Sequence, residues 1–175
     1  NPDMAPLGNK KQTPAPSAPR SLLSQLAAKP EKLFSGAFRH QVGALCYQQS
    51  GDDLRILVMT SRESGRWVIP KGWPIKGKKS HQAAAIEAWE EAGVRGRVTK
   101  KPIGRYTYLK QLDDGDVAPC VVEVFAIEAT KLSTKFKERG ERQIAWVDLS
   151  EAARRVREIE LKSLIIKFKP EKLSD

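Results

Sequence analysis

Residues 72–94 read GWPIKGKKSHQAAAIEAWEEAGV, and the reading of this stretch decides the fold. From His81 to Ala92 the chain is an unbroken run of good helix formers; Ser80 can cap the first turn, and Gly93 supplies a left-handed stop. At roughly 100° per residue, Glu87, Glu90 and Glu91 fall within about 100° of arc, so the helix presents one acidic face. Ala85, Ala88, Ala92 and Trp89 lie on the other side, a small-residue stripe that lets a helix approach a sheet closely, with the charge expected to point outward. Like charges at i, i+3 and i+4 repel, and no Lys or Arg within the helix offsets them, so neutralisation has to come from elsewhere. Oxygen-only ligands at this spacing suit a hard ion such as Mg²⁺ or Mn²⁺, which completes its coordination with water and substrate phosphates. Zinc is disfavoured because His40, His81, Cys46 and Cys120 show no ligand spacing.

Upstream of this segment, Gln41–Tyr47 and Leu54–Thr60 are strand-length apolar blocks separated by the turn residues Ser50 to Asp53, the pattern of a β-hairpin. A short strand, Arg66–Pro70, leads into the loop carrying Gly72, Pro74 and Gly77. Downstream, two long β segments are expected, Val98–Leu112 and Val117–Ala129, joined by Asp113, Asp114, Gly115 and Asp116. Ile144–Val147 reads as a further strand, Asp148 as the cap of a helix over Leu149–Val156, and Ile159–Phe168 as a terminal helix. The order predicts an α/β (α+β) chain, a three-layer αβα sandwich with a central mixed β-sheet. Residues 1–36, with six prolines, read as a flexible N-terminal arm, residues 37–170 as the folded domain, and 171–175 as a tail.

At 175 residues and a net charge of +10, with 40% apolar and 30% charged side chains, the chain is large enough for one real core and too apolar to be disordered throughout. No apolar run approaches the roughly 20 residues of a membrane span. The absence of a secretory leader and the presence of only two cysteines point to a reducing, cytoplasmic setting. The positive charge is uneven: residues 71–110 hold 10 basic residues against Glu87, Glu90 and Glu91 alone. Basic residues gathered around one compact acidic cluster suggest a polyanionic small molecule meeting a metal, rather than the basic face of a nucleic-acid binder.

Gly72, Lys78, Ile86, Glu87, Ala88, Glu90, Glu91, Gly93 and Val94 stand at the spacings of Gx5Ex7REUxEExGU, where U is apolar, and so the chain resembles the Nudix hydrolases. Two positions depart from that pattern: Lys78 stands for its first Glu and Ile86 for its Arg. An arginine at 86 would hold Glu90 by an i,i+4 pair, so Ile86 removes an orienting partner rather than a ligand. With Trp67–Gly72 ahead of it, including the Pro-Lys-Gly of residues 70–72, the region is similar to the branch of diphosphoinositol polyphosphate and diadenosine polyphosphate phosphohydrolases, over about residues 39–168.

The resemblance implies a hydrolase that cuts phosphoanhydride bonds with Mg²⁺, or Mn²⁺, held by the Lys71 carbonyl, Glu87, Glu90 and Glu91. It implies phosphate contacts from Arg39, Ser61, Arg62, Lys71, Gly72, Lys78 and Arg142. The proton acceptor is expected among Glu87, Glu138 and Glu141, with Glu141 preferred. A pyrophosphohydrolase acting on the 5′ end of RNA is the alternative enzyme, with nucleic acid possible but not favoured as a partner. A catalytically weakened polyanion-binding member of the fold is the other alternative. Oligomeric state is not encoded in any motif.

Overall fold

A computed structural model of the chain describes residues 38–171. The N-terminal arm and the last four residues lie outside the described part. In chain order the elements are β1 (Arg39–Ser50), β2 (Asp53–Thr60), β3 (Trp67–Val68), β4 (Lys71–Gly72), α1 (Ser80–Ala92), β5 (Val94–Val98), β6 (Gly104–Gln111), β7 (Val117–Leu132), β8 (Ile144–Val147), α2 (Leu149–Arg155) and α3 (Ile159–Ile166). The eight strands form one mixed sheet whose main path runs β3-β2-β1-β7-β5. β4 pairs with β1, β6 with β7, and β8 with β2. Among these pairings β1–β7 is parallel, with Arg39 opposite Cys120 and Tyr47 opposite Glu128; the others are antiparallel.

Helices cover both faces of the sheet. On one face Leu45, Tyr47, Ile56, Val58, Tyr106, Val122 and Val124 pack against Ala152, Leu161, Ile165 and Phe168 of α2, α3 and the residues after them. On the other, Val42, Ala44, Cys46, Leu57, Met59, Phe125 and Ile127 meet Ala83, Ala84, Ala88 and Ala92 of α1. Alternation along β1 sends odd residues to the first face and even residues to the second, as the two-residue period of a strand requires. The αβα sandwich expected from element order is therefore the fold.

Four local expectations need correction. The strand expected over 98–112 begins only at Gly104, as β6, and Val98 instead ends a separate strand, β5, that the sequence does not suggest; both pair with β7. Pro102 interrupts the ladder between them, and the β5–β7 register shifts between Arg95 and Gly96. The Lys71–Gly72 segment, expected as loop, makes a two-residue pairing with β1, Val42 opposite Gly72 and Gly43 opposite Lys71. Ser80 is the first helical residue rather than the cap; that position is Lys79, whose backbone N–H donates to Gln82 Oε1 at 2.9 Å. The terminal helix stops at Ile166, and Phe168 beyond it packs edge-on against Tyr47. The Asp148 cap is as expected, with its carboxylate accepting from the Glu151 N–H at 2.7 Å.

Candidate active site

The position of α1 follows from its alanines. Ala84, Ala88 and Ala92 recur every four residues and are buried on the sheet, as is Ala83, whereas Ala85 and Trp89 lie at the flank and are only partly covered. Trp89 instead stacks under the Arg95 guanidinium, 3.8 Å from the ring centroid. With the stripe rotated this way, Glu91 turns inward, contrary to the outward charge expected, and is 7% exposed. A buried carboxylate needs partners, and it has them: the Lys71 N–H donates to Glu91 Oε2 at 3.0 Å, and Arg142 Nη2 lies 3.5 Å from Oε1. Glu87 faces Gly72 so closely that a methyl group on that glycine would overlap its carboxylate. Glu90 lies further out, with Lys137 Nζ at 3.7 Å.

This crowding sets the electrostatics. Burial, reinforced by Glu90 and Glu138, pushes the Glu87 carboxyl up to about 7. Burial also raises Glu91, against the opposing pull of Arg142 and the Lys71 N–H, and burial lowers Lys71. As they stand, no three His, Cys, Asp or Glu side chains among the described residues converge into a finished ion cage. The donor set nevertheless fits a hard divalent cation. It is all oxygen, it includes a desolvated Glu87 that no described ion pair neutralises, and Gly72 leaves the space beside that carboxylate free of side chain.

The 133–143 connection closes the site from the side. Ser133 N–H donates to Gly93 O at 2.8 Å, Glu138 N–H to Glu90 O at 3.0 Å, and Phe136 sits over Gly93, whose φ is 69°. Gln143 N–H bonds Thr60 Oγ1, and Thr60 N–H bonds Gln143 O, tying the far end to β2. Glu138 is drawn in, its side chain 12% exposed, between Arg142 Nη2 at 2.9 Å and Arg62 Nε at 3.3 Å. Glu141 stays on the rim, exposed, with Arg62 Nη1 at 3.3 Å.

Of the basic residues expected to touch phosphate, Arg39 begins β1 and is exposed beside Cys120, and Lys78 is exposed in the loop before α1. Ser61 is engaged through its backbone, donating to Arg66 O and accepting from the Gly65 N–H. Arg62 is half exposed but spends its guanidinium on Glu138 and Glu141. Arg142 is not an open phosphate contact: it is 8% exposed and surrounded by carboxylates. The Lys71 side chain crosses to the opposite face of the sheet, 5.1 Å from the Tyr108 ring, whose hydroxyl donates to Gln41 Oε1. Lys110 lies over Trp73 at 5.7 Å. Lys137 is not legible in the sequence as a site residue, since it reaches Glu90 from the connection before β8.

The NUDIX domain family model matches residues 38–168, and the chain belongs to this family. It is a Nudix-type pyrophosphohydrolase. It is 27% identical over 148 residues to a mitochondrial Nudix hydrolase 12 of Arabidopsis thaliana, covering 75% of this chain and 73% of that one. Over 61 residues, 35% of this chain and 37% of the other, it is 34% identical to the diphosphoinositol polyphosphate phosphohydrolase 3-alpha of Mus musculus. Its fold is similar to that of an Ap4A hydrolase from C. elegans, with a TM-score of 0.54 and 20% identity over 75% of this chain and 96% of that one.

Proposed function

We propose that this chain hydrolyses a phosphoanhydride bond in a small molecule carrying several phosphates, with a diadenosine polyphosphate or a diphosphoinositol polyphosphate as the substrate class, and that it does so with Mg²⁺ or Mn²⁺. The observation that carries the reading is Glu87: a carboxylate desolvated beside two others, facing a glycine, and unneutralised by any described ion pair. The metal would be held by Glu87, Glu90, Glu91 and the Lys71 carbonyl. When bound it supplies charge neutralisation at the phosphate oxygens and acidifies the attacking water.

The chain's own groups supply the rest. Lys71 fixes Glu91 through its N–H. Arg39, Lys78 and the other basic residues of 71–110 draw a polyanion toward the acidic cluster. Glu138, close enough to Glu87 to act on it electrostatically, is better placed to accept the proton than the rim residue Glu141. The substrate class is supported by the likeness to diphosphoinositol polyphosphate phosphohydrolases over 61 residues. A cytoplasmic setting is supported by Cys46 and Cys120, which are buried free thiols, and no helix among the described residues is long and apolar enough to cross a membrane.

The test is product detection by ion-exchange chromatography, with Mg²⁺ and with chelator. The panel holds diadenosine polyphosphates, a diphosphoinositol polyphosphate, nucleoside triphosphates and 5′-triphosphorylated RNA. Metal-dependent cleavage of one of the first two classes is the expected result. Preference for RNA would move the substrate to the alternative enzyme, and tight binding of the panel without turnover would identify a polyanion-binding member of the fold.

A further inference from the structure

The family pattern has an arginine at the position of Ile86, one helical turn from the carboxylate it would orient. Ile86 can form no ion pair, yet the acidic helix does not lack a guanidinium. Arg142 arrives from the connection before β8, 51 residues beyond Glu91 in sequence. Its contacts span three separate parts of the fold. Nη2 lies 2.9 Å from Glu138 Oε1 and 3.5 Å from Glu91 Oε1, Nε is 3.3 Å from Glu138 Oε1, and Nη1 donates to Thr60 O at 3.2 Å. A guanidinium is a rigid planar fork, so donors committed to the end of β2, to α1 and to the connection fix those parts relative to one another. The backbone bonds at Thr60, Gly93 and Glu90 dock the same connection and leave the arginine little freedom of its own.

We propose that Arg142 is a positioning residue for the carboxylates of the site, holding the metal ligand Glu91 and the neighbouring Glu138 from outside a helix that has Ile86 and no arginine of its own. This rests on the metal site of the preceding section. Arg142 is not itself a metal ligand; it acts by restricting where two carboxylates can point.

Positioning and simple electrostatics predict opposite signs, which makes the proposal easy to overturn. A positive charge near a cation site repels the cation, so its removal should tighten metal binding if charge were all that mattered. If Arg142 orients ligands, its removal should weaken binding, and losses of about 10- to 100-fold are usual for residues that hold metal ligands in place. The experiment is Mn²⁺ titration followed by the EPR signal of the free ion, on the full chain, for the wild type, Arg142→Gln and Arg142→Lys, with folding checked by thermal unfolding in chelator. The expected result is a Kd raised about 10- to 100-fold in Arg142→Gln and by a smaller factor in Arg142→Lys, which keeps the charge but not the fork.

A Kd unchanged within about twofold, or lowered, in a folded Arg142→Gln variant overturns the proposal. If that variant does not fold, Arg142→Lys decides alone, and a wild-type Kd there has the same meaning. Failure of the wild type to bind Mn²⁺ at all would overturn the metal site itself, and the positioning role with it, a result distinct from a wild type that binds and a variant that binds equally well.

Discussion

The two faces of the sheet are built on opposite terms. Under α2 and α3 the core is made of large side chains, with Tyr106, Leu161, Ile165 and Leu45 all at 1% exposure or less, and the face serves stability. Under α1 the helix contributes alanines, and at its end Glu87 crowds against Gly72 while Glu91 is buried on the Lys71 peptide. Small residues bring the helix near enough for Glu91 to reach the Lys71 peptide. The same closeness desolvates Glu87. The difference teaches that the α1 face gives up stability to hold charge where water cannot screen it, and that the opposite face makes up the loss.

Each prediction probes that division. The largest effect should come from Glu90→Gln combined with Glu91→Gln: metal-dependent turnover falls by about 10³-fold or more while the fold is retained. A steady-state assay beside a thermal melt checks both halves, and equal turnover by variant and wild type would break the comparison. On the other face Ile165→Ala should do the reverse. It should cost about 2–5 kcal/mol in denaturant unfolding and leave kcat/KM unchanged below the transition.

Gly72→Ala should lower turnover about 100-fold with little loss of stability, since the added methyl displaces the flexible end of Glu87 rather than backbone. Kinetics and melting on the same preparation separate the two effects. Asp148→Ala removes the cap of α2 and should cost about 1 kcal/mol without touching turnover.

A further effect is a pH slope. Folding raises the Glu87 carboxyl from its ordinary 4.5 to about 7, so between those values the folded chain binds more protons than the unfolded one. Stability therefore declines as pH rises through that window, the penalty being absent below it and complete above it. Without metal, the wild type should lose more melting temperature than Glu87→Gln between about pH 5 and about pH 8, and Mg²⁺ should recover more at the upper end. Identical slopes for the two proteins would remove Glu87 from the account.

What could be read in advance was local. The helix, its glycine stop, the acidic spacing, the Asp148 cap and both hairpin turns each depend on residues within a few positions of one another, and the order of elements was enough for the layered fold. The parallel β1–β7 pairing was not readable, because parallel neighbours meet through a crossover that no short motif encodes. β5 was hidden because Arg95, Gly96 and Arg97 break the apolar alternation of an edge strand. The inward turn of Glu91 depends on how α1 rolls on the sheet, and that depends on whether Lys71 and Arg142 stand ready to receive the charge. The charge of Arg142 is legible but its direction is not, since sequence shows a guanidinium but not which carboxylates surround it.

Lys71 belongs to both faces. Its peptide N–H holds Glu91 on the α1 side, while its ammonium lies over Tyr108 on the other side of the sheet. The separation between these two grips is therefore limited by the length of a single residue, in a strand only two residues long, rather than by packing between elements that can slide. However the surrounding loops breathe, Lys71 works as a covalent tether: whatever engages its ammonium stays within the reach of one lysine side chain from the carboxylate that its backbone holds.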